Sequence, residues 1–376
     1  MEARSRYIDS EPVKRLLQQF VSFVPSSTLK FILFLIPVFF LVFLSACNRG
    51  RSHVLEIAYV SGVQANLRDH VAAVYEKAGV VKNGERVEVL DHDRRFVKVR
   101  TTTGAMGWIE QRYLVGQDVY DQIQKLTADN QSDPVQAQGT TRNDTNLHVE
   151  PGRDTEHLYQ ISSGEKLSLL KRGTAEKPGA VAPPSRTTSR ATSSTIMPGG
   201  NPQNNEKKQA VPVIEDWWLV RDSHNRVGWV LARMVDLDVP LDVAQYAEGQ
   251  RIVAFFVLNQ VQDGDKKVAQ YLTVVTEPKD GLPFDFNQIR VFTWNVKRHR
   301  YETAYRERMA GVLPVTVSQE NFDKEGMLPA FTIRVKDDNG NVTERKYKLN
   351  TPIVRRVLAP GEEPVRTVSR KARRRR

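Results

Sequence analysis

The feature that most constrains this chain is an ordered set of short, alternating apolar runs that occurs twice. In residues 54–116, Asn66-Leu67-Arg68 is followed by Gly84-Glu85-Arg86-Val87-Glu88-Val89-Leu90 and by Phe96-Val97-Lys98-Val99-Arg100. Gly104-Ala105-Met106-Gly107-Trp108-Ile109 and Tyr113-Leu114 complete the set. The order recurs in residues 141–238: Asn146-Leu147-His148-Val149, Gly164-Glu165-Lys166-Leu167-Ser168-Leu169-Leu170, Trp217-Trp218-Leu219-Val220-Arg221, Arg226-Val227-Gly228-Trp229-Val230 and Met234-Val235. A period of two, broken by turn signals such as Asn83-Gly84, predicts short half-buried strands in a small antiparallel barrel or sandwich. Self-similarity at this scale predicts two modules of one kind.

These elements resemble bacterial Src homology 3 domains. The resemblance implies two small SH3-like barrels and, by family, binding of cell-wall peptide. The glycine before Trp108 or Trp229 is expected to permit a tight turn. The two tryptophans are expected to fill cores too small to stabilise easily. Ligand-facing aromatics are expected among Tyr59, Tyr75, Phe96, Trp217 and Trp218. Strand alternation predicts that one of the adjacent pair Trp217 and Trp218 points in and the other out.

Residues 117–140 read as a linker, with a short helix over 118–126 and a polar stretch over 128–140. Residues 174–212 are dominated by Pro, Ser, Thr, Gly and Asn. Such a segment buries too little apolar surface to offset its ordering entropy, which predicts a disordered insert within the second module. Residues 250–351 alternate again, with turns at Asp263-Gly264, 297–300 and Asp338-Asn339-Gly340. Seven strands over 251–261, 268–276, 288–296, 301–308, 313–318, 330–336 and 342–349 predict an antiparallel sandwich or barrel. The fold class expected is therefore all-β: two SH3-like barrels, then a larger antiparallel domain, behind an N-terminal signal or anchor segment.

Charge is concentrated at the C-terminus. Residues 355–376 hold nine Lys/Arg and two Asp/Glu, or +7 of the chain's +11. Residues 1–46 hold five and three, or +2, which leaves +2 for the rest. The tail is expected to be disordered and to face anionic lipid or polymer. Nucleic acid is not expected as a partner.

The single cysteine, Cys47, excludes an intramolecular disulfide and thiolate metal clusters. It follows an uncharged run over residues 31–44, preceded by Lys30. That is the pattern of a secretory signal, and the run is short for a membrane span of about 20 residues. Leu44-Ser45-Ala46-Cys47 resembles the lipobox of bacterial lipoproteins, which implies acylation of Cys47 and a membrane tether outside the cytoplasm. The alternative is an uncleaved anchor, residues 1–46. No His-rich metal pair, nucleophile elbow or phosphate loop is present, and no catalytic residue, metal or cofactor is expected. The function expected is a non-catalytic binding or scaffold protein of the cell envelope, facing peptidoglycan or an envelope protein. The alternatives are an accessory subunit of an envelope complex and a carboxylate-based wall hydrolase.

Overall fold

Alternation of small aliphatic residues builds the first part of the molecule. The computed structural model describes residues 53–181 and 212–358. The apolar segment with Leu44, Ser45, Ala46 and Cys47, the insert over 182–211 and the tail from 359 lie outside the described residues. The first sheet comprises β1 (Glu56–Val60), β2 (Gln64–Arg68), β3 (Lys77–Lys82), β4 (Arg86–Asp93), β5 (Phe96–Thr101), β6 (Met106–Glu110) and β7 (Leu114–Gly116). Their spatial order is β3-β2-β6-β5-β4-β1-β7. Val60, Leu67, Val81, Val87, Val89, Val97, Val99 and Ile109 point inward and form one buried cluster.

A helix follows, α1 (Gln117–Asp129), which extends the short helix expected over 118–126 at both ends. Val119 and Ile123, four residues apart, bury one face of it. The second sheet comprises β8 (Ala137–Thr141), β9 (Thr145–His148), β10 (His157–Ile161), β11 (Lys166–Val181), β12 (Pro212–Arg221), β13 (Val227–Leu231) and β14 (Val235–Leu237). Its order is β10-β9-β13-β12-β11-β8-β14. That is the order of the first sheet with seven added to every index. A 3-10 turn precedes the last strand in both, at Gln111–Tyr113 and Ala232–Met234.

Residues 174–181, expected within the disordered insert, continue β11 instead. Ala175 pairs with Glu215, Glu176 with Ile214 and Val181 with Pro212. Composition pointed to disorder there. The ladder supplies the backbone partners that a Pro/Ser/Thr-rich sequence does not advertise.

After a short helix, α2 (Leu241–Ala244), a third sheet runs as a meander. It comprises β15 (Arg251–Asp263), β16 (Lys266–Thr276), β17 (Phe286–Asn295), β18 (Arg300–Asn321), β19 (Met327–Lys336), β20 (Val342–Asn350) and β21 (Ile353–Val357), each paired with the next. The strands expected at 301–308 and 313–318 are one, β18. The sheet gains β21, whose residues 355–357 had been assigned by charge to the tail. Among the described residues no helix is long and apolar enough to cross a membrane.

Two side-chain amides fasten the sheets together by imitating backbone. Asn83 Nδ2 donates to Leu158 O at 2.8 Å, and its Oδ1 accepts from Gln160 N at 3.0 Å. This satisfies outward-facing groups of β10, an edge strand of the second sheet. Tyr59 reinforces the junction by stacking on Tyr120 of α1 at 4.1 Å. Gln136, 1% exposed, accepts from Val315 N at 2.7 Å and donates back to Val315 O at 3.3 Å. Second and third sheets also share a buried cluster that includes Leu169, Trp218, Val253, Phe286, Val315 and Phe331.

A buried ionic knot lies at the same junction. Asp216, on β12, accepts from Arg172 Nη2 at 2.5 Å, Arg251 Nη2 at 2.7 Å and Gly281 N at 2.9 Å. Arg172 also reaches Asp285 at 3.2 Å and the carbonyls of Leu282 and Phe284. Burial pushes the Asp216 carboxyl up, but its hydrogen bonds from Arg172, Gly281 N–H and Arg251 outweigh that and hold it below the usual range. Burial dominates at Asp285, which is pushed up despite the Leu313 N–H and Arg172. Asp216 is thus the principal counterion of Arg172.

Candidate functional site

The site is built where β2, the loop over residues 69–76 and the end of β6 meet. Asp69 closes the loop, its Oδ1 accepting from the N–H groups of His70 and Glu76 at 2.9 Å. That closure presents Tyr75 to Arg68. The Arg68 guanidinium carbon lies 4.2 Å from the Tyr75 ring centre and 4.8 Å from that of Phe96. Stacked cations of this kind gain about 0.5–2 kcal/mol each. Arg68 Nη2 also donates to Glu110 Oε1 at 3.2 Å, while Glu110 Oε2 takes Arg112 Nε at 2.9 Å. Arg112 lies over the Tyr113 ring and donates to its hydroxyl at 2.9 Å.

Arg68, Tyr75, Glu110 and Tyr113 line a surface groove of about 190 Å³ with Gln64, Ala65, Asn66 and Ile109. The groove holds one guanidinium group, one carboxylate and two tyrosine rings, with Arg112 braced against Glu110 and Tyr113 beside it. Such a lining offers donors, an acceptor and flat apolar area within one small concavity. It suits a short peptide segment carrying both charge and apolar surface.

The expected ligand-facing aromatics divide. Tyr75 lines the groove. Phe96 is buried beneath Arg68 and supports it rather than facing a ligand. Tyr59 is buried against Tyr120, its hydroxyl donating to Gln117 Oε1 at 3.1 Å. Trp217 and Trp218 are both buried, at 2% and 6% exposure, which corrects the expectation of one in and one out. The reason is that β12 is covered on both faces. Trp218 and Val220 enter the main core, Leu219 joins Leu170 and Val227 on the opposite face, and Trp217 meets His148 edge-on at 5.2 Å.

Trp108 and Trp229 are only half-buried, whereas their neighbours Ile109 and Val230 are core residues. Alternation turns the tryptophans outward. The preceding glycines serve close approach rather than a turn. A Cβ on Gly107 would lie 2.8 Å from Leu67 Cβ and 2.9 Å from Arg68 O. One on Gly228 would lie 2.9 Å from Leu147 Cβ and 3.2 Å from His148 O. The strand ladders make these positions equivalent. Arg68 pairs with Trp108 as His148 pairs with Trp229, and Phe96 with Glu110 as Trp217 with Leu231.

The same equivalence shows what the second sheet lacks. Arg68, Glu110 and Tyr75 correspond to His148, Leu231 and, across loops of equal length, Thr155. His148 Nδ1 lies 3.0 Å from Thr155 Oγ1, and its ring is 5.2 Å from that of His157. Burial, with the neighbouring His157, pushes the His148 imidazole down to about 4. Arg68, Glu110, Arg112 and Tyr113 were not singled out from the sequence as ligand groups. Arg68 and Tyr113 stood inside the repeated motifs, where they were read as strand residues.

Glu165, Asp222 and His224 stand close enough together to offer three ligand atoms to a metal ion. Asp222 is already taken by Arg226, at 2.6 Å.

Residues 62–115 match the family model described as the bacterial SH3 domain. No curated protein matches the chain. Solved structures similar to it include NlpC2 of Trichomonas vaginalis, at 9% identity and a TM-score of 0.16, covering 82% of this chain and 97% of that one. Another is an NlpC/P60 family protein from Bacillus cereus ATCC 10987, at 10% identity and a TM-score of 0.21, covering 79% and 95%. A third, NlpC1 of Trichomonas vaginalis, has 9% identity and a TM-score of 0.16 and covers 78% and 89%. These similarities run against the expectation of a non-catalytic binding or scaffold protein, and that expectation is withdrawn. Their TM-scores assign no activity or residue role to this chain.

Proposed function

We propose that the first sheet is a recognition module for peptidoglycan, and that its groove takes a peptide segment of that polymer. The observation that carries this reading is the Tyr75–Arg68–Phe96 stack beside Glu110, in a module that matches the bacterial SH3 domain. Arg68 offers a fixed guanidinium to a ligand carboxylate, Glu110 an acceptor to an amine, and Tyr75 and Tyr113 flat apolar walls.

Two finer readings accompany it. The second sheet is a second module of the same kind, supported by its identical strand order and by the paired roles of Gly107 and Gly228. The segment Leu44-Ser45-Ala46-Cys47 is a lipobox whose acylated cysteine tethers the chain at the cell envelope, where peptidoglycan is within reach.

The test is co-sedimentation of the full chain with insoluble peptidoglycan. Tyr75→Ala removes the outer wall of the groove without touching the core. Retention of wild-type protein together with loss of about tenfold in affinity for the variant is expected, the scale of one well-placed aromatic contact. Wild-type protein that stays in the supernatant, or a variant that binds as well as wild type, overturns the reading.

A further inference from the structure

A second concavity, of about 290 Å³, lies between the second and third sheets. One wall is apolar: Trp218, Val235, Leu237, Ile252 and Val253. The other carries arginines. Arg172 is 5% exposed in its side chain, and both its terminal nitrogens are engaged by Asp216, Asp285 and two carbonyls. Its Nε is buried with no hydrogen-bond partner. A buried donor left unpaired is costly, and an acceptor brought into the cleft would relieve it.

Arg233 stands at the rim, 57% exposed. Its Nη1 lies 3.6 Å from Glu215, whose two oxygens already take Arg153 at 2.6 Å. Arg233 is therefore loosely held and available. The aspartates that also line the cleft are each neutralised: Asp216 by Arg172 and Arg251, Asp280 by Arg251 at 2.8 Å, and Asp236 by Arg142. What the cleft lacks is one anionic acceptor with an apolar group attached.

We propose that this cleft binds a small carboxylate bearing an apolar group, with the carboxylate between Arg172 Nε and Arg233 and the apolar group against Trp218, Leu237 and Ile252. The volume is at the small end of ligand sites, which run from about 300 Å³ upward, and suits a ligand no larger than one or two residues. The C-terminal residue of a peptide and a short aliphatic acid share this chemistry.

The test uses the full chain with N-acetyl-leucine, N-acetyl-leucinamide and octanoate as probes. The readouts are the part of the tryptophan fluorescence lost in Trp218→Phe and the Arg172 Nε–H resonance, assigned through Arg172→Lys. N-acetyl-leucine is expected to shift both, and the amide to bind at least tenfold more weakly. Arg233→Gln, an exposed substitution that spares the fold, is expected to weaken the acid about tenfold and leave the amide unchanged. Octanoate binding tenfold more tightly than N-acetyl-leucine supports the site and identifies its ligand as an aliphatic acid. If acid and amide shift the signals alike, or no probe shifts them at about 10 mM, beyond the range of even weak specific binding, the proposal falls.

Discussion

Replacing Asp216 with asparagine tests the buried junction between the second and third sheets. The side chain is 2% exposed and accepts from two guanidinium groups and one backbone N–H. Asparagine keeps the shape but removes the charge, and it turns an NH₂ group toward donors. Arg172, 5% exposed, is left with Asp285 at 3.2 Å as its remaining carboxylate. Breaking a buried pair from one side costs about 3–5 kcal/mol, and Asp285 should keep the loss near the lower end. Urea titration of the full chain, followed by tryptophan fluorescence, is the assay. In a parallel thermal melt the midpoint should fall on the order of 10 °C. Asp285→Asn should cost clearly less, because that carboxyl is the weaker partner and burial already pushes it toward its neutral form. The pH dependence follows from the lowered pKa of Asp216. Its contribution is fully present above the ordinary 3.8 and is lost as pH falls below that, through the folded value. An Asp216→Asn variant within about 0.5 kcal/mol of wild type, the scale of an ordinary surface change, would refute the reasoning.

Three further outcomes follow. Gln136→Leu should destabilise by about 2–3 kcal/mol in urea titration, because it strands the buried N–H and carbonyl of Val315. Gly107→Val should cost about 1–3 kcal/mol or more, since even a Cβ would press on Leu67 and the Arg68 carbonyl; the matching Gly228→Val should behave alike if the two positions are equivalent. His148 has a folded pKa near 4 against an ordinary 6.5, so the unfolded chain binds more protons between those values. Thermal stability should therefore fall as pH drops from 6.5 toward 4, and His148→Gln should flatten that slope.

The strand architecture was legible because it is written locally. Alternation through Val87 and Val89, the Asn83-Gly84 turn and the repeated Gly-Trp pairs each depend on a few neighbouring residues. The places where sequence reading failed depend on what covers a strand. Trp217 and Trp218 follow alternation, but β12 is buried on both faces, so neither is exposed. Tyr59 reads as an available aromatic until α1 brings Tyr120 over it. Residues 174–181 have the composition of a loop and are a strand because β12 pairs with them. In the groove, Tyr75 was legible as an aromatic in a loop. Arg68, Glu110 and Tyr113 come together only through the β2–β6 pairing, and strand reading gave no reason to join them. Gln136 and Asn83 looked like linker and turn residues, since nothing in sequence marks a side chain that will substitute for backbone across a junction.

The central claim is that recognition of peptidoglycan resides in the groove of the first sheet. The most direct test places a photo-crosslinking residue at Asn66, which lines that groove, and in a second variant at Asn146, its equivalent in the second sheet. Full-length protein is irradiated with peptidoglycan, digested and analysed by mass spectrometry. Wall-peptide adducts at position 66, reduced about tenfold by Tyr75→Ala, are predicted, with few at position 146, where Thr155 and Leu231 replace Tyr75 and Glu110. Adducts at position 146 that equal or exceed those at 66, or adducts at 66 indifferent to Tyr75, would contradict the account.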